Sequence, residues 1–257
     1  MYKKSLPFFY TLLALATVGS AIGFLVYSFW NLDYDWEFGF LWDYIWLSES
    51  GKPGIILQGL WGTIYISVIS IVMGSIMGVL LGLALLSQEP VTRRVAVFYV
   101  DVFRNTPVLV QLYVIYFIVG TALELEPETA GVLTLSLFCS AYVGDIFRGT
   151  IQEFEKGQVD AAKSMGLTSI QIAGSVIAPQ ALRRMLPPLV GQFVSLVKDS
   201  SLVSVISVAD LTKSALNVVS VSFRSFETWF VVAVIYFALN YILSSYGRYL
   251  ERKLRVA

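Results

Sequence analysis

The sequence predicts an all-α integral membrane protein with about six transmembrane helices and a cytoplasmic helix between the fourth and fifth. Of its 257 residues, 56% are hydrophobic and only 14% are charged, whereas soluble domains carry about 25% charged residues. Apolar segments also recur along the chain, each close to the roughly 20 residues that a helix needs to cross a membrane. The 18 basic and 18 acidic residues cancel, so no overall field would attract nucleic acid.

The apolar segments predict six spans that are joined by short linkers, with two longer exceptions. Residues 31–56 are acidic, and residues 150–185 form a polar island between the fourth and fifth spans. We therefore expect residues 1–56 to add one transmembrane helix and an acidic external loop to a transmembrane domain at residues 57–257. The six predicted spans are about residues 8–30, 57–86, 97–120, 130–149, 186–209 and 228–248.

The distribution of basic residues predicts the orientation. Lys3 and Lys4 precede the first apolar segment, which is too long for a signal-peptide core and lacks a cleavage pattern, so we interpret it as a retained signal anchor. Cytoplasmic loops carry an excess of Lys and Arg. With the N-terminus in the cytoplasm, only Lys52, Lys213 and Arg224 among the basic residues of the loops fall outside. The pattern therefore predicts cytoplasmic N- and C-termini and a cytoplasmic polar island.

The composition disfavours several kinds of chemistry. The chain has no histidine and one cysteine, Cys139, so common zinc, haem and Cys–His nucleophile sites lack their ligands. Without histidine or a cysteine–base pair, an integral membrane enzyme is disfavoured. We expect no metal site, and we expect Cys139 to be a small buried apolar residue.

The first half of the polar island predicts a short helix with small residues on its surface. Ala161 and Ala162 would allow close approach of a partner, and Gly166 is expected to end the helix. Asp160 lies in its first part, where an acid complements the positive end of the helix dipole.

The second half of the island predicts another short helix. Thr168 and Gln171 fit a capping box, in which the two side chains satisfy free N–H groups at the helix start. Pro179 is expected to end this helix. Three apolar residues recur at helical spacing and should share one face: Ile170, Ala173 and Ile177.

A stripe of small residues runs along the second span. Gly74, Gly78 and Gly82 form a double G-x-x-x-G pattern, with Ser70 at the same spacing. Small residues let helix backbones approach closely in a membrane. The stripe predicts a tight helix contact, either in a transport core or subunit interface or as ordinary packing within the chain.

A first group of candidate substrate-binding residues lies in the third span, where polar groups at membrane depth are costly without a role. Asp101 and Arg104 share a helical face and could pair. Pro107 favours a helix start, so the helix is expected to break there and to present free N–H groups to an anion such as a carboxylate. The alternative is a cytoplasmic elbow with an exposed ion pair. The candidates are Arg104, Asn105, Thr106 and Gln111; Gln111 could instead bond a neighbouring helix.

A second group lies in the fifth span. Adjacent helical residues point about 100° apart, so Lys198 and Asp199 should each find a partner elsewhere, whether in a polar cavity, on another helix or in a second chain. Structural pairing near a helix end is the alternative. The candidates are Lys198, Asp199, Ser200 and Ser201. Asp145 and Arg148, three residues apart, are interpreted as a local structural pair.

The polar island resembles the cytoplasmic EAA loop of ABC-transporter permeases. The family pattern is E-A-A, three residues, G, nine residues, I, one residue and L-P. The spacing is intact here, although Asp replaces Glu, Val replaces Ile and Ala replaces Leu. The matching positions are Asp160, Ala161, Ala162, Gly166, Val176, Ala178 and Pro179.

Further segments resemble the polar amino-acid uptake permeases, over about residues 57–255. Phe103 to Gln111 is similar to the family's F-R-[GN]-T-P-L-L-V-Q segment, and Ala141 to Gly149 to its A-Y-x-A-E-I-F-R-G segment. Pro179 to Arg184 and Ser195 to Ser204 match as well. Together these segments are more specific than any single motif.

The resemblance implies the membrane subunit of a type I importer that moves polar amino acids across the bacterial inner membrane. Its implied partners are ABC ATPase subunits, a second permease copy or a related permease, and an external substrate-binding protein. This chain has no G-x-x-x-x-G-K-[ST] phosphate loop, so ATP and Mg²⁺ would be bound by the ATPase and no cofactor by this chain. The residues implied to dock the ATPase are Gln158, Asp160, Ala161, Ala162, Ser164, Met165, Gly166 and Leu167.

An autonomous ion-coupled carrier or channel is the alternative function. Such a protein would need no ATPase and would transport when reconstituted alone. The exposed polar island and the absence of an evident internal repeat favour the importer subunit.

Overall fold

The computed structural model of the chain describes residues 5–31, 34–47, 51–154 and 156–254. Lys3 and Lys4, on which the predicted orientation depends, lie outside the described residues. The helices are α1 (Ser5–Trp30), α2 (Leu41–Ile45), α3 (Ile55–Leu85), α4 (Pro90–Asn105), α5 (Val108–Val114), α6 (Pro127–Gln152), α7 (Lys156–Ser164), α8 (Ser169–Gln171), α9 (Ala178–Asp199), α10 (Leu211–Ser222) and α11 (Ser225–Leu254). Two π-helical turns, Ile115–Gly120 and Ile172–Ile177, and a 3₁₀ segment, Ser200–Ile206, extend α5, α8 and α9.

The all-α membrane fold predicted from the sequence is confirmed. Among the described residues, five helices are long and apolar enough to cross a membrane, and a sixth is added if α4 and α5 count as one bent span. The only strands described are β1 (Trp46–Leu47) and β2 (Lys52–Pro53), a two-residue antiparallel pair.

The chain divides into two compact units, Met1–Gly39 and Phe40–Ala257. This division falls earlier than the boundary at residue 56 that the hydropathy pattern favours. The reason is that Leu41 is buried in an apolar cluster with Ile56, Leu211 and Val232. The described residues 40–47 and 51–56 therefore belong with the transmembrane domain. In the first unit, the described side chains of α1 are largely exposed, as expected of a helix that faces lipid.

The contact between α3 and α6 forms the centre of the second unit. A Cβ at Gly74 would lie 2.6 Å from the Cβ of Cys139, and one at Gly78 would lie 2.5 Å from the Cβ of Val143. A Cβ at Gly82 would likewise meet the ring of Phe147 at 2.6 Å. The small-residue stripe is thus a packing surface within the chain, and only glycine allows this close approach.

A second close approach, which the sequence analysis missed, joins α3 to the start of α10. A Cβ at Gly62 would lie 2.1 Å from the carbonyl oxygen of Ala209. The buried Asp210 carboxylate accepts hydrogen bonds from the backbone N–H groups of Thr212 and Lys213 and so caps α10. Burial raises the pKa of Asp210, although these hydrogen bonds oppose the rise. The Asp210 N-cap before an apolar-periodic stretch was the signal that could have predicted α10.

Three helix boundaries differ from the prediction. The third span begins earlier than predicted, at Pro90, and carries the expected break, where α4 and α5 are bent by 110° before Val108. The fifth begins earlier, at Ala178, and continues through Pro187 and Pro188. Pro179 does not end a helix: it lies in the first turn of α9, directly after the π-helical turn, whose altered hydrogen-bond register accommodates a residue without an N–H group.

The glycine contact generates a stability prediction. Gly78→Ala should destabilise the helix pair by about 1–3 kcal/mol, because its methyl group would overlap Val143 and overpacking costs that much. Heating the detergent-solubilised protein with a thiol-reactive dye should show this as earlier labelling of the buried Cys139. Gly149→Ala is the matched control, since nothing lies within 4 Å of a Cβ there. Equal labelling temperatures for the two variants would contradict the packing role.

Candidate functional site

The helix α7 ends in a rigid turn at Gly166. Gly166 has a φ of +80°, a left-handed conformation that glycine adopts without strain. Its N–H donates to the carbonyl of Lys163 at 2.9 Å, and the Leu167 N–H donates to the carbonyl of Ala162 at 3.2 Å. These two bonds form a Schellman motif. Helix α7 therefore ends in the turn at Gly166, as predicted from the sequence.

The capping box predicted at the start of α8 is present. The Thr168 N–H donates to the side-chain oxygen of Gln171 at 2.8 Å, and the Gln171 N–H donates to the Thr168 hydroxyl at 3.4 Å. The Schellman turn and the capping box follow each other directly, so both ends of the connection between α7 and α8 have satisfied backbone groups.

Two large apolar side chains protrude from this connection. Met165 is 81% exposed and Ile170 is 85% exposed. Both flank the Gly166 turn, whereas Ala162 is buried beneath it. Of the predicted docking residues, Leu167 is half-buried and the others are exposed: Gln158, Asp160, Ala161, Ser164, Met165 and Gly166.

The apolar face predicted for the second island helix is not formed as expected. Ile170 is exposed, and the residue buried instead is Ile172, only 3% exposed. The π-helical turn from Ile172 to Ile177 breaks the ordinary helical spacing on which the prediction rested. Ala173 and Ile177 do share a side: both line an apolar cavity of about 410 Å³ against the ends of α3 and α6.

The side chain of Arg104, at the end of α4, contacts side chains of α6. Arg104 forms an ion pair with Asp145, and the Arg148 guanidinium also bonds Asp145, at 2.6 Å. The Arg104 guanidinium lies 5.2 Å from the centre of the Tyr142 ring, within range of a cation–π contact. The expected pairing of Arg104 with Asp101 is wrong, because the bend after α4 brings α6 within reach. The local pairing of Asp145 with Arg148 is present.

At the break between α4 and α5, the side chain of Gln111 satisfies backbone carbonyls at the end of α4. The amide nitrogen of Gln111 donates to the carbonyl oxygens of Phe103, at 2.8 Å, and Thr106, at 3.0 Å, and bonds the Thr106 hydroxyl at 2.8 Å. These carbonyls lie at the end of α4, where a helix leaves acceptors unpaired. Asn105 bonds the backbone carbonyl of Asp101 in the same region. The helix break that the sequence predicted is therefore present, with Pro107 as the N-cap of α5.

The Lys198 group lies at the end of α9. The hydroxyls of Ser200 and Ser201 donate to carbonyls of their own helix at 2.9 and 2.7 Å. Asp199 has only a 3.5 Å contact with Ser195, and Lys198 is exposed. Among the residues that the structure describes, no hydrogen bond or ion pair joins this group to Arg104.

The described part of the chain contains no group of three or more His, Cys, Asp or Glu residues that could hold a metal ion. The charged groups described above include one ion pair that joins α4 to α6, Arg104 with Asp145, and one within α6, Asp145 with Arg148.

Comparisons with known proteins agree with these features. Residues 70–256 match the model of a family described as binding-protein-dependent transport system inner membrane component. The glutamine transport system permease protein GlnP of Escherichia coli (strain K12) is 36% identical over 222 residues, covering 84% of this chain and 99% of that protein. The arginine transport system permease protein ArtQ of Bacillus subtilis (strain 168) is 34% identical over 202 residues, covering 78% of this chain and 92% of that protein.

Solved structures show the same fold. A crystal structure of an amino acid ABC transporter with histidines has a chain that is 36% identical, with a TM-score of 0.73, covering 77% of this chain and 94% of that one. An inward-facing methionine ABC transporter, MetNI, matches at a TM-score of 0.69 and 19% identity, covering 79% of this chain and 97% of that one, and supports the fold alone. This chain is a multi-pass membrane transport component and not an enzyme. It belongs to the family of binding-protein-dependent transport system inner membrane components, the permeases of ABC importers.

Proposed function

We propose that this chain is the membrane subunit of an ATP-driven importer that moves polar amino acids across the bacterial inner membrane. Its N- and C-termini lie in the cytoplasm, and an external binding protein delivers the substrate. The observation that carries the proposal is the connection from α7 to α8, where two protruding apolar side chains flank a rigid glycine turn. The names of the relatives, which transport glutamine and arginine, support the substrate class.

The protruding side chains Met165 and Ile170 support docking of a separate ATPase. Exposed large apolar residues on a polar loop are suited to burial in a partner's groove, and burying a methionine or isoleucine side chain contributes about 1.5–3 kcal/mol. Lys163 and Arg183, in the same stretch of chain, support a cytoplasmic position for this loop, because cytoplasmic loops carry an excess of positive charge. ATP and Mg²⁺ would bind to the ATPase.

Side chains that follow the loop between α7 and α8 pack against the membrane spans. Ile172 is buried, and Ala173 and Ile177 line the cavity against the ends of α3 and α6. The π-helical turn that carries them continues directly into α9. A force on α7 would therefore reach three spans. In the proposed cycle, ATP binding closes the ATPase pair and biases the spans from an inward-open to an outward-open arrangement, and hydrolysis reverses it.

Substrate contact is proposed for the charged groups at the two helix junctions. Arg104, paired with Asp145, and the nearby Asn105 and Thr106 lie at the end of α4. Gln111 positions this junction through its bonds to the carbonyls of α4. Lys198 and Asp199, with Ser200 and Ser201, offer a second polar group at the end of α9. Groups of both signs suit a zwitterionic amino acid.

Gly166→Ala tests the rigid turn. The methyl group would meet no atom within 4 Å, so the change acts only through the positive φ, which costs an L-residue about 1–2 kcal/mol. We expect ATPase affinity and ATP-driven uptake in proteoliposomes to fall by about tenfold, since 1.4 kcal/mol is a factor of ten.

Gly157→Ala is the control for this change. It lies in α7, also has no atom within 4 Å of its Cβ and has no positive φ. It should therefore retain coupling, because alanine favours a helix. Full coupling in the Gly166→Ala protein would count against the docking role.

Met165→Ser tests the protruding apolar surface. If Met165 is buried in the ATPase, the change should weaken co-purification of the ATPase and uptake by about 10- to 100-fold, from the 1.5–3 kcal/mol of lost burial. Leu123→Ser, at a side chain that is also well exposed (64%) but lies in the external linker, should leave both unchanged. Equal effects of the two substitutions would point to a general loss of stability instead.

Lys198→Gln tests substrate contact in α9. Lys198 forms no ion pair with another described residue of the chain, so removing its charge should leave thermal stability unchanged. If the ammonium group binds the substrate, the KM for uptake should rise by about 10- to 100-fold, the loss expected for one charge-assisted hydrogen bond of about 1.5–3 kcal/mol. Ser201→Ala should have little effect, because that hydroxyl already bonds its own helix. An unchanged KM in the Lys198→Gln protein would exclude this contact.

A further inference from the structure

The helix α4 has three distinct faces. Its protein-facing side carries Ala96 and Val100, which are 3% and 6% exposed and pack against Leu85 of α3. Tyr99 on the same side bonds the carbonyl of Leu137 and the hydroxyl of Ser140 in α6. This side is fully used by contacts within the chain, so any further partner of α4 must approach from the other two faces.

A second face of α4 is apolar and uncovered. The side chains recur at intervals of four, three and four residues, which places them in one stripe along the helix. Phe98 is 71% exposed, and the stripe as a whole consists of Val91, Val95, Phe98 and Val102. A helix that buries one apolar side in protein and leaves a second apolar side open is suited to lie against hydrocarbon.

The third face of α4 is polar and basic. Arg93, Arg94 and Asp101 line an open groove of about 490 Å³, which Phe98 borders on the side of the apolar stripe. Within the described residues neither arginine forms an ion pair with a carboxylate. The groove therefore combines two uncompensated positive charges, one carboxylate and an apolar edge.

The direction of α4 matches this division into faces. The axis of α4 makes an angle of 110° with the axis of α5 and its π-helical extension. The two helices are therefore roughly perpendicular. If α5 rises through the membrane beside α6, α4 runs close to the membrane plane, near the inner ends of α3 and α6. Glu89 caps its start by accepting hydrogen bonds from the backbone of Thr92 and Val91.

We propose that α4 is an interfacial helix whose basic groove holds the headgroup of an anionic phospholipid of the cytoplasmic leaflet. The stripe of Val91, Val95, Phe98 and Val102 enters the acyl region, and Arg93 and Arg94 contact the lipid phosphate. Phe98, at the border between stripe and groove, lies beside the first part of the acyl chains. The assignment to the cytoplasmic leaflet rests on the proposed orientation of the chain.

Lipid retention tests the basic groove. The permease–ATPase complex is purified from nanodiscs of equal phosphatidylglycerol and phosphatidylcholine, and the retained lipids are measured by native mass spectrometry. Each basic residue near an anionic surface contributes about fivefold, so R93Q/R94Q should lower the retained ratio of phosphatidylglycerol to phosphatidylcholine by up to about thirtyfold. R252Q/K253Q, which removes two exposed charges from the end of α11, should retain the wild-type ratio. An unchanged ratio in R93Q/R94Q, or an equal loss in both variants, would overturn the proposal.

Spin labels test the apolar stripe in the same complex. In a Cys139→Ser background, a label at Val95→Cys should be accessible to oxygen and shielded from a water-soluble nickel reagent, and one at Asp101→Cys should show the opposite. Shielding of Val95→Cys from both reagents, with dipolar broadening between labels, would show a second copy of the chain on the stripe. Access of the nickel reagent to Val95→Cys would show a water-facing stripe. Either result would overturn the proposal, while the uptake assays of the Gly166 and Met165 variants would stand independently.

Discussion

The close approach of α3 and α6 is the constraint on which the rest of the second unit depends. Without a hydrophobic force between helices in lipid, close backbone packing must hold them together. The glycines of α3 remove the side chains that would keep α6 away, and a Cβ at Gly78 would lie only 2.5 Å from Val143. Every described element that carries a candidate functional residue contacts this pair or is joined to a helix that does.

The same helix pair explains the position of both functional regions. Near its C-terminal end, α6 presents Asp145, which pairs with Arg148 and also holds Arg104 at the end of α4. The amide nitrogen of Gln111 donates a hydrogen bond to the Phe103 carbonyl and so stabilises the bend after α4. The ends of α3 and α6 also form one wall of the cavity that receives Ala173 and Ile177. The loop between α7 and α8 and the broken helix therefore share one support, and packed side chains connect the loop to the charged groups.

Hydrogen bonds between nearby residues stabilise the loop between α7 and α8, whereas contacts between residues distant in sequence stabilise the broken helix. The Schellman turn at Gly166 and the capping box of Thr168 and Gln171 depend on residues within a few positions of one another. The pairing of Arg104 with Asp145, by contrast, joins residues 41 positions apart. The loop is therefore held by its own residues, whereas the broken helix depends on contacts with distant parts of the chain.

The sequence by itself determined the fold class, most spans, the helix break near Pro107, the turn at Gly166 and the capping box. Each of these depends on local hydropathy, backbone freedom or side-chain bonds to nearby backbone, which are readable over a short window. Only the tertiary structure decided that Arg104 pairs with Asp145 rather than Asp101, that Ile172 rather than Ile170 is buried, and that Leu41 packs with the transmembrane domain. These outcomes depend on a 110° bend, a π-helical turn and contacts between distant segments. Helical periodicity describes one straight helix, so it cannot anticipate which distant helix a bend brings within reach.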